Sequence, residues 1–491
     1  MATNKITYLS AVHDTTFSKH TLFKPTIVVV MPAHNEEDDI KKALLSLSKQ
    51  VFPPGLSMHV YIALDNCTDN TEKVIYETNK ELGLTIFLLE TVDNTERKVG
   101  ALNQVYRLFY GDETHLRRRE VGPLQKEYVR SIQAFVGMDA DAQLEKNTIA
   151  TLWDELNSAP YVGSVSANFT CQFPTEGERD SRPGREIMRN WWISQQIRDF
   201  ADWTLRQKQN RHIAEIAGGQ CSIFRPEAML EVREKYKLNG FFDNSTDTED
   251  LLITQHLRAC GWTCLTSKSA RAYVDSMDNY PAYFAQRKKW VSGTIDYMLL
   301  AGLSTSFSRK AWGQQLILLV NFLIRILLIT LIPLSIWQGV FTWNWIWAIP
   351  FVVSSILNVS LTFLSPDYRA IDVILTALGV NQEVYLWITI HVHISSWLDK
   401  LKIEQQDGWA NQYKAESGQG GSPINFIPIF LLGVLGYIFY KYRNQWMINE
   451  QLITLAKGYM TIGYPLLTFM TIIMSLSVIR KIFRLRYPYR P

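Results

Sequence analysis

The chain has 491 residues, room for roughly two or three domains, and its 47% apolar and 12% aromatic content is rich for a wholly soluble protein. A formal net charge of +3 gives no reason to expect nucleic acid as a partner. The average conceals an asymmetry: up to about Lys310 charges are spread throughout, whereas the last third carries long apolar runs.

Residues 1–24 form an N-terminal segment with no apolar signal-peptide core, so the domain that follows is expected on the cytosolic side of a membrane. Cys67, Cys171, Cys221, Cys260 and Cys264 show no zinc spacing, and their odd number suggests reduced thiols.

The stretch TIVVVMPAHNEEDDIKKALLSL reads as a buried strand over Ile27 to Met31, a Pro-containing turn, and a helix with apolar positions at Ile40, Ala43, Leu44 and Leu47. HVYIALDNCTDNT is a second strand ending at Asp65, LTIFLLE a third leading towards Lys98, and QAFVGMDADAQL a fourth ending in Asp139 and Asp141. This alternation of strand, loop and helix predicts a Rossmann-like, mostly parallel α/β sheet with ligand chemistry at the carboxyl ends of its strands. No GxGxxG follows the first strand, which argues against a dinucleotide cofactor.

In Asp139-Ala140-Asp141 alternate residues point the same way, so both carboxylates can face one hard cation, Mg²⁺ or Mn²⁺, that also takes oxygens from a diphosphate. The plainer alternative is a solvated turn. Glu249 and Asp250 open a helix whose Leu251, Leu252 and Leu257 recur at helical spacing, with Thr248 as an N-cap; first-turn acids are also ordinary helix chemistry.

The apolar third parses by length into spans at about 316–340 and 345–364 (pair 311–366), and 426–440 and 462–479 (pair 424–491, with a basic tail that favours the cytosol). Residues 367–423 read as amphipathic interfacial helices followed by a Gly- and Ser-rich loop; a helix buried on the soluble domain is the competing reading. Arg325 lies inside the first span with Asn321 on the same face, and either borders a polar path or pairs with a carboxylate or a lipid headgroup.

PAHNEE (32–37), DNCTDNT (65–71), KVGALN (98–103), the DxD, GGQCSIFRPEA (218–228), TED (248–250) and QRKKW (286–290) follow one another in an order that resembles the family 2 inverting glycosyltransferases of the GT-A fold. With apolar runs after QRKKW, the chain is similar to the membrane-integrated synthases of cellulose, hyaluronan, chitin and poly-N-acetylglucosamine. The resemblance covers about residues 25–300, within an expected GT-A domain of 25–310. It departs from the family at Lys289, where an Arg is common, and at Leu64, where many relatives pair a second acid with Asp65.

The resemblance implies that Asp250 is the general base, with Glu249 beside it. It implies donor contacts from Pro32, Glu36, Asp65, Lys98, Asp139, Gln286, Arg287 and Lys289, and acceptor contacts from Trp290, Gly218, Gly219 and Gln220. Asp141 and Asp139 would hold the Mg²⁺ or Mn²⁺. The implied activity is hexosyl transfer from a UDP-sugar, UDP-N-acetylglucosamine or UDP-glucose, to elongate a β-linked polysaccharide and export it. The alternative is addition of one sugar to a polyprenyl-phosphate or other lipid acceptor. Expected partners are the nucleotide sugar, a glycan or lipid-linked acceptor and membrane lipids, in an integral protein of the plasma membrane.

Overall fold

The computed structural model describes residues 6–9, 24–111, 126–174, 183–341, 343–363, 369–401, 412, 441 and 450–485. Two compact units divide the chain: Met1–Glu186 with Asp199–Ser276, and Ile187–Arg198 with Met277–Pro491.

The first unit is built on a nine-stranded sheet in the order β1-β4-β3-β2-β5-β8-β7-β9-β6. Its strands are β1 (Ile6–Leu9), β2 (Thr26–Ala33), β3 (Ser57–Leu64), β4 (Ile86–Glu90), β5 (Ile132–Met138), β6 (Gln143–Leu144), β7 (Val162–Cys171), β8 (Cys221–Phe224) and β9 (Thr263–Val274). Strands β4, β3, β2 and β5 are mutually parallel, and β7 and β9 run the same way. Only β1, β8 and β6 oppose them, so the sheet is mixed but mostly parallel, as the strand and helix alternation predicts.

The apolar run of β2 serves two cores. Ile27, Val29 and Met31 pack on one face with α1 (Ile40–Ser48) and α5 (Thr148–Leu156), while Val28 and Val30 pack on the other with α3 (Arg97–Tyr110), α7 (Pro226–Tyr236) and α8 (Glu249–Ala259). All five are fully buried, which is why the run shows no polar alternation. Each such burial contributes roughly 1.5–3 kcal/mol. The predicted helix positions Ile40, Ala43, Leu44 and Leu47 are the buried ones of α1. Two further helices, α2 (Thr71–Leu82) and α4 (Lys126–Ser131), complete the first unit's crossovers, and α2 stops at Gly83, whose φ of 69° is the left-handed turn a helix C-terminus favours. Helix α6 (Pro183–Gln209) has its middle residues, Ile187–Arg198, in the second unit.

The second unit is helical: α9 (Tyr280–Ala301), α10 (Ser306–Trp337), a 3₁₀ turn (Trp345–Ala348), α11 (Ile349–Phe363), α12 (Ala370–Ala377), α13 (Val380–Lys400) and α14 (Glu450–Leu485). Ile324 and Leu331 of α10 meet Met460, Leu467 and Met474 of α14, a seven-residue spacing typical of helices crossing at a shallow angle. Gly463 makes that seam close, since a methyl group there would lie 2.8 Å from Leu331. Beside this apolar seam Thr471 and Ser475 are also buried, while Leu316, Leu319 and Ile462 are exposed.

Among the described residues two helices are long and apolar enough to cross a membrane, Ser306–Trp337 and Ile453–Leu476. The segment expected as the second span is a shorter apolar helix, Trp345–Ser360. Helices α12 and α13 are bent by 75° and count as a third span only if taken together. The expected span at 426–440 and the Gly-rich loop lie outside the described residues.

Arg325 resolves in favour of a carboxylate partner. Its Nη2 and Nε donate to Glu383 Oε1 at 2.6 Å and Oε2 at 3.2 Å, and its Nη1 donates to Asn321 Oδ1 at 3.1 Å. A guanidinium so engaged is a strut between α10 and α13, which removes the reason for placing it on a glycan path.

Candidate active site

The register of the central strands brings their carboxyl ends to one edge: Ala33 lies beside Leu64, and Leu64 beside Glu90. The polar loops that follow are laced together there. The Glu36 N–H donates to Thr71 Oγ1 at 2.7 Å, and the Glu36 carbonyl accepts from the Ile40 N–H that starts α1. Glu37 Oε2 accepts from both the backbone and side-chain nitrogens of Asn70 at 2.9 Å. Pro32, one residue before the end of β2, lines a cleft with Lys98 and Asp139.

Asp65 is buried at the tip of β3. Its Oδ1 accepts from Asn94 Nδ2 at 2.7 Å, Thr91 Oγ1 at 2.8 Å and Asn66 Nδ2 at 3.1 Å. Oδ2 takes part in no hydrogen bond among the described residues. One oxygen thus fixes the carboxylate and the other is left to receive a hydroxyl or imino donor. Asn94 and Thr91 were not singled out by the sequence, because polar residues in a loop give no periodic signal.

The centre of the cleft is an ion triad. Lys98 Nζ lies 2.6 Å from Asp139 Oδ1 and 2.7 Å from Glu249 Oε1. Burial works against the lysine's charge, but the two carboxylates outweigh it and hold its pKa above the ordinary value. Gly219 runs against this triad: a Cβ there would stand 2.8 Å from Lys98 Nζ and 3.4 Å from Glu249 Oε1. Gly218 hydrogen-bonds Ser166 Oγ through its N–H, and its carbonyl accepts from Ser222. Antiparallel pairing of β8 with β5 sets this GGQ turn beside the DxD, with the Asp139 N–H donating to the Gln220 carbonyl. Gln220 Oε1 is buried with no hydrogen-bond partner among the described residues.

Asp250, partly buried, lines the same cleft as Lys98, Asp139, Gly218, Gly219 and Glu249. Its Oδ1 accepts from the Leu251 N–H at 2.8 Å. Burial and then the neighbouring Glu249 push its pKa up to about 6, against opposing pulls from Lys98 and the Leu251 amide. Thr248 occupies the N-cap of α8, but its hydroxyl makes no cap bond and lies 3.3 Å from Thr246 Oγ1 instead. The expected side-chain cap is therefore absent, while Glu249 and Asp250 do occupy the first turn of α8.

Asp141 has its pKa pushed up to about 8 by burial, then by Asp139 and Asp275. Hard carboxylate oxygens crowded this way suit a small divalent cation. Among the described residues no group of three or more His, Cys, Asp and Glu side chains could hold a metal. Two carboxylates alone would leave most of such an ion's coordination positions to other oxygens.

The QRKKW residues Gln286, Arg287, Lys289 and Trp290 belong to α9 of the second unit. Arg287 and Lys289 are buried there. The Arg287 guanidinium lies over the rings of Trp290, at 4.3 Å, and Tyr283, at 5.0 Å, an arrangement that a lysine's point charge reproduces poorly.

Comparison with known proteins is consistent with this site. Residues 28–230 match the family described as Glycosyl transferase family 2, and residues 134–366 match Glycosyl transferase family group 2. The chain is similar to the beta-monoglucosyldiacylglycerol synthases of Nostoc sp. and Trichormus variabilis, each 24% identical over 308 residues, covering 61% of this chain and 56% of the relative. This chain thus spans a little over half the length of those curated relatives. Among solved structures it is similar to the mannosyltransferase PcManGT from Pyrobaculum calidifontis in complex with GDP-Man and Mn²⁺, at 15% identity and a TM-score of 0.36, with 90% of this chain and 88% of that one covered. Residues 28–230 are thus matched as a glycosyltransferase family 2 domain, and Asp139 of the DxD lines one cleft with Glu249 and Asp250 of the TED.

Proposed function

We propose that this chain is a membrane-associated inverting hexosyltransferase that moves one sugar from a nucleotide sugar to the hydroxyl of a lipid acceptor such as diacylglycerol. The observation that carries it is a carboxylate with its pKa raised to about 6, Asp250, in one cleft with the Lys98, Asp139 and Glu249 triad. A lipid acceptor is supported by the relatives' names and by the two apolar helices of the second unit. Polysaccharide elongation, the leading expectation from motif order, has less support, because those relatives are named for a product carrying a single glucose.

In this reading Asp250 accepts the acceptor hydroxyl's proton as that oxygen attacks the anomeric carbon from the side opposite the leaving nucleoside diphosphate. Asp65, Glu36 and Pro32 bind the nucleoside, and the backbone of Gly218, Gly219 and Gln220 approaches the sugar. Lys98 fixes Asp139 and Glu249 so that neither carboxylate competes with Asp250 for the proton. Mg²⁺ or Mn²⁺, held by Asp141 and Asp139, would offset the charge on the departing diphosphate. The diphosphate roles of Gln286, Arg287 and Lys289 and the acceptor role of Trp290 rest on the family resemblance.

The test is turnover of full-length protein in nanodiscs with UDP-glucose, UDP-N-acetylglucosamine or GDP-mannose, with and without diacylglycerol or polyprenyl phosphate. Donor consumption that needs the lipid and disappears in Asp250→Asn supports the reading. Polymer formed without added lipid restores the elongation alternative, and no turnover under any condition overturns both.

A further inference from the structure

Asn94 bridges Asp65 and the Arg97 peptide that leads to Lys98. One amide nitrogen, Nδ2, donates to Asp65 Oδ1 at 2.7 Å and to the Arg97 carbonyl at 2.8 Å, while Oδ1 accepts from the Glu96 N–H at 3.0 Å. The side chain is buried. Both its donor and its acceptor side are thus committed, which fixes the amide's orientation. Arg97, whose carbonyl Asn94 grips, has a φ of 53°, a left-handed conformation that costs an arginine energy unless its surroundings impose it. The next residue is Lys98, which bridges Asp139 and Glu249. Gly100 leaves room for the arrangement: a Cβ there would fall 1.9 Å from Asn94 Oδ1.

We infer that Asn94 is a positioning residue that couples the nucleoside-binding carboxylate, Asp65, to the Lys98 triad where the diphosphate departs. It holds Asp65 from one side and, through the strained Arg97 peptide, sets the direction in which Lys98 enters the cleft. This rests on the proposed donor-site reading. Thr91 provides the internal control, because its hydroxyl donates to the same Asp65 oxygen at 2.8 Å but has no hydrogen bond to Arg97 among the described residues.

The test compares Asn94→Ala, the milder Asn94→Ser and Thr91→Val in the full-length protein in nanodiscs. UDP and GDP binding is measured by calorimetry with Mn²⁺, kcat at saturating donor by turnover, and folding by Tm. Thr91→Val is expected to weaken nucleoside diphosphate binding about three- to tenfold with kcat unchanged. Both Asn94 variants are expected to weaken binding similarly and also to lower kcat about tenfold or more. If Asn94→Ala fails to fold, Asn94→Ser carries the same comparison. Asn94 variants that match Thr91→Val, with kcat intact, would overturn the coupling. So would wild-type binding and turnover in both. A wild-type protein that binds neither UDP nor GDP overturns the donor-site reading, and the coupling with it; variants unchanged against a wild type that does bind overturn the coupling alone.

Discussion

The Lys98 ammonium lies 2.7 Å from the Glu249 carboxylate, a contact between the first turn of α3 and the first turn of α8, more than a hundred residues apart in sequence. Glu249 is buried, and this cation offsets part of the cost of placing a carboxylate there. Lys98→Met leaves Glu249 and Asp139 without their shared countercharge. Breaking a buried pair in this way costs about 3–5 kcal/mol. A lower Tm at neutral pH is expected, with part of the loss recovered in Lys98→Met/Glu249→Gln. Equal Tm values for wild type and Lys98→Met would show that the pair contributes nothing.

Asp250 ties pH to both activity and stability. In the proposed reaction Asp250 is the base and must be ionised, so kcat/KM is expected to fall below about pH 6 with a slope of one proton, matching its raised pKa. A profile flat from pH 5 to 8 would exclude Asp250 as the titrating base.

Its effect on stability has the opposite sign. In the unfolded chain an aspartate titrates near about 3.9, so the folded state holds the proton more tightly, and keeping Asp250 ionised costs stability as pH rises from about 4 to 6. Asp250→Asn is therefore expected to abolish turnover and yet stabilise the fold at pH 7.5 by on the order of 1–2 kcal/mol, read as a higher Tm, with no gain at pH 4. Comparing thermal scans at the two pH values checks this; a Tm lowered at pH 7.5 would contradict it.

Asp141→Asn removes one of the two carboxylates proposed to hold the divalent cation. It is expected to raise the Mn²⁺ concentration needed for half-maximal turnover at least tenfold, and EDTA is expected to silence the wild type until divalent cation is returned. Turnover indifferent to EDTA would remove the metal from the scheme.

Within the second unit, Arg325→Leu is expected to lower thermal stability in nanodiscs more than the double change Arg325→Leu/Glu383→Leu, since the single change strands the partner carboxylate. A double variant less stable than the single would show that the two side chains act separately.

Much of the first unit was legible because its central strands are short and largely apolar, and three of them end at or just before an acid, Asp65, Glu90 or Asp139. The Ile27 to Met31 run is continuous since two cores cover it, and Asp65, Asp139 and Lys98 fall at the sheet's carboxyl edge as that alternation requires. The antiparallel β8 was not legible: CSIF is four residues long, and only its pairing with β5 reveals why the GGQ turn stands by the DxD. Asn94 was invisible for a different reason, since its meaning lies in contacts to Asp65 and Arg97 that no spacing encodes. The role of Arg325 was undecided for the same cause, because its partner Glu383 lies 58 residues away. The apolar runs announced helices, but run length alone did not show that the 345–360 segment starts as a 3₁₀ turn and stays short.

The most direct measurement is the mass and anomeric configuration of the product formed from an α-linked nucleotide sugar and diacylglycerol. A lipid carrying one β-linked hexose, absent with Asp250→Asn, is the expected result. An α-linked product would contradict inversion with Asp250 as base, and a ladder of longer glycans would contradict single-sugar transfer.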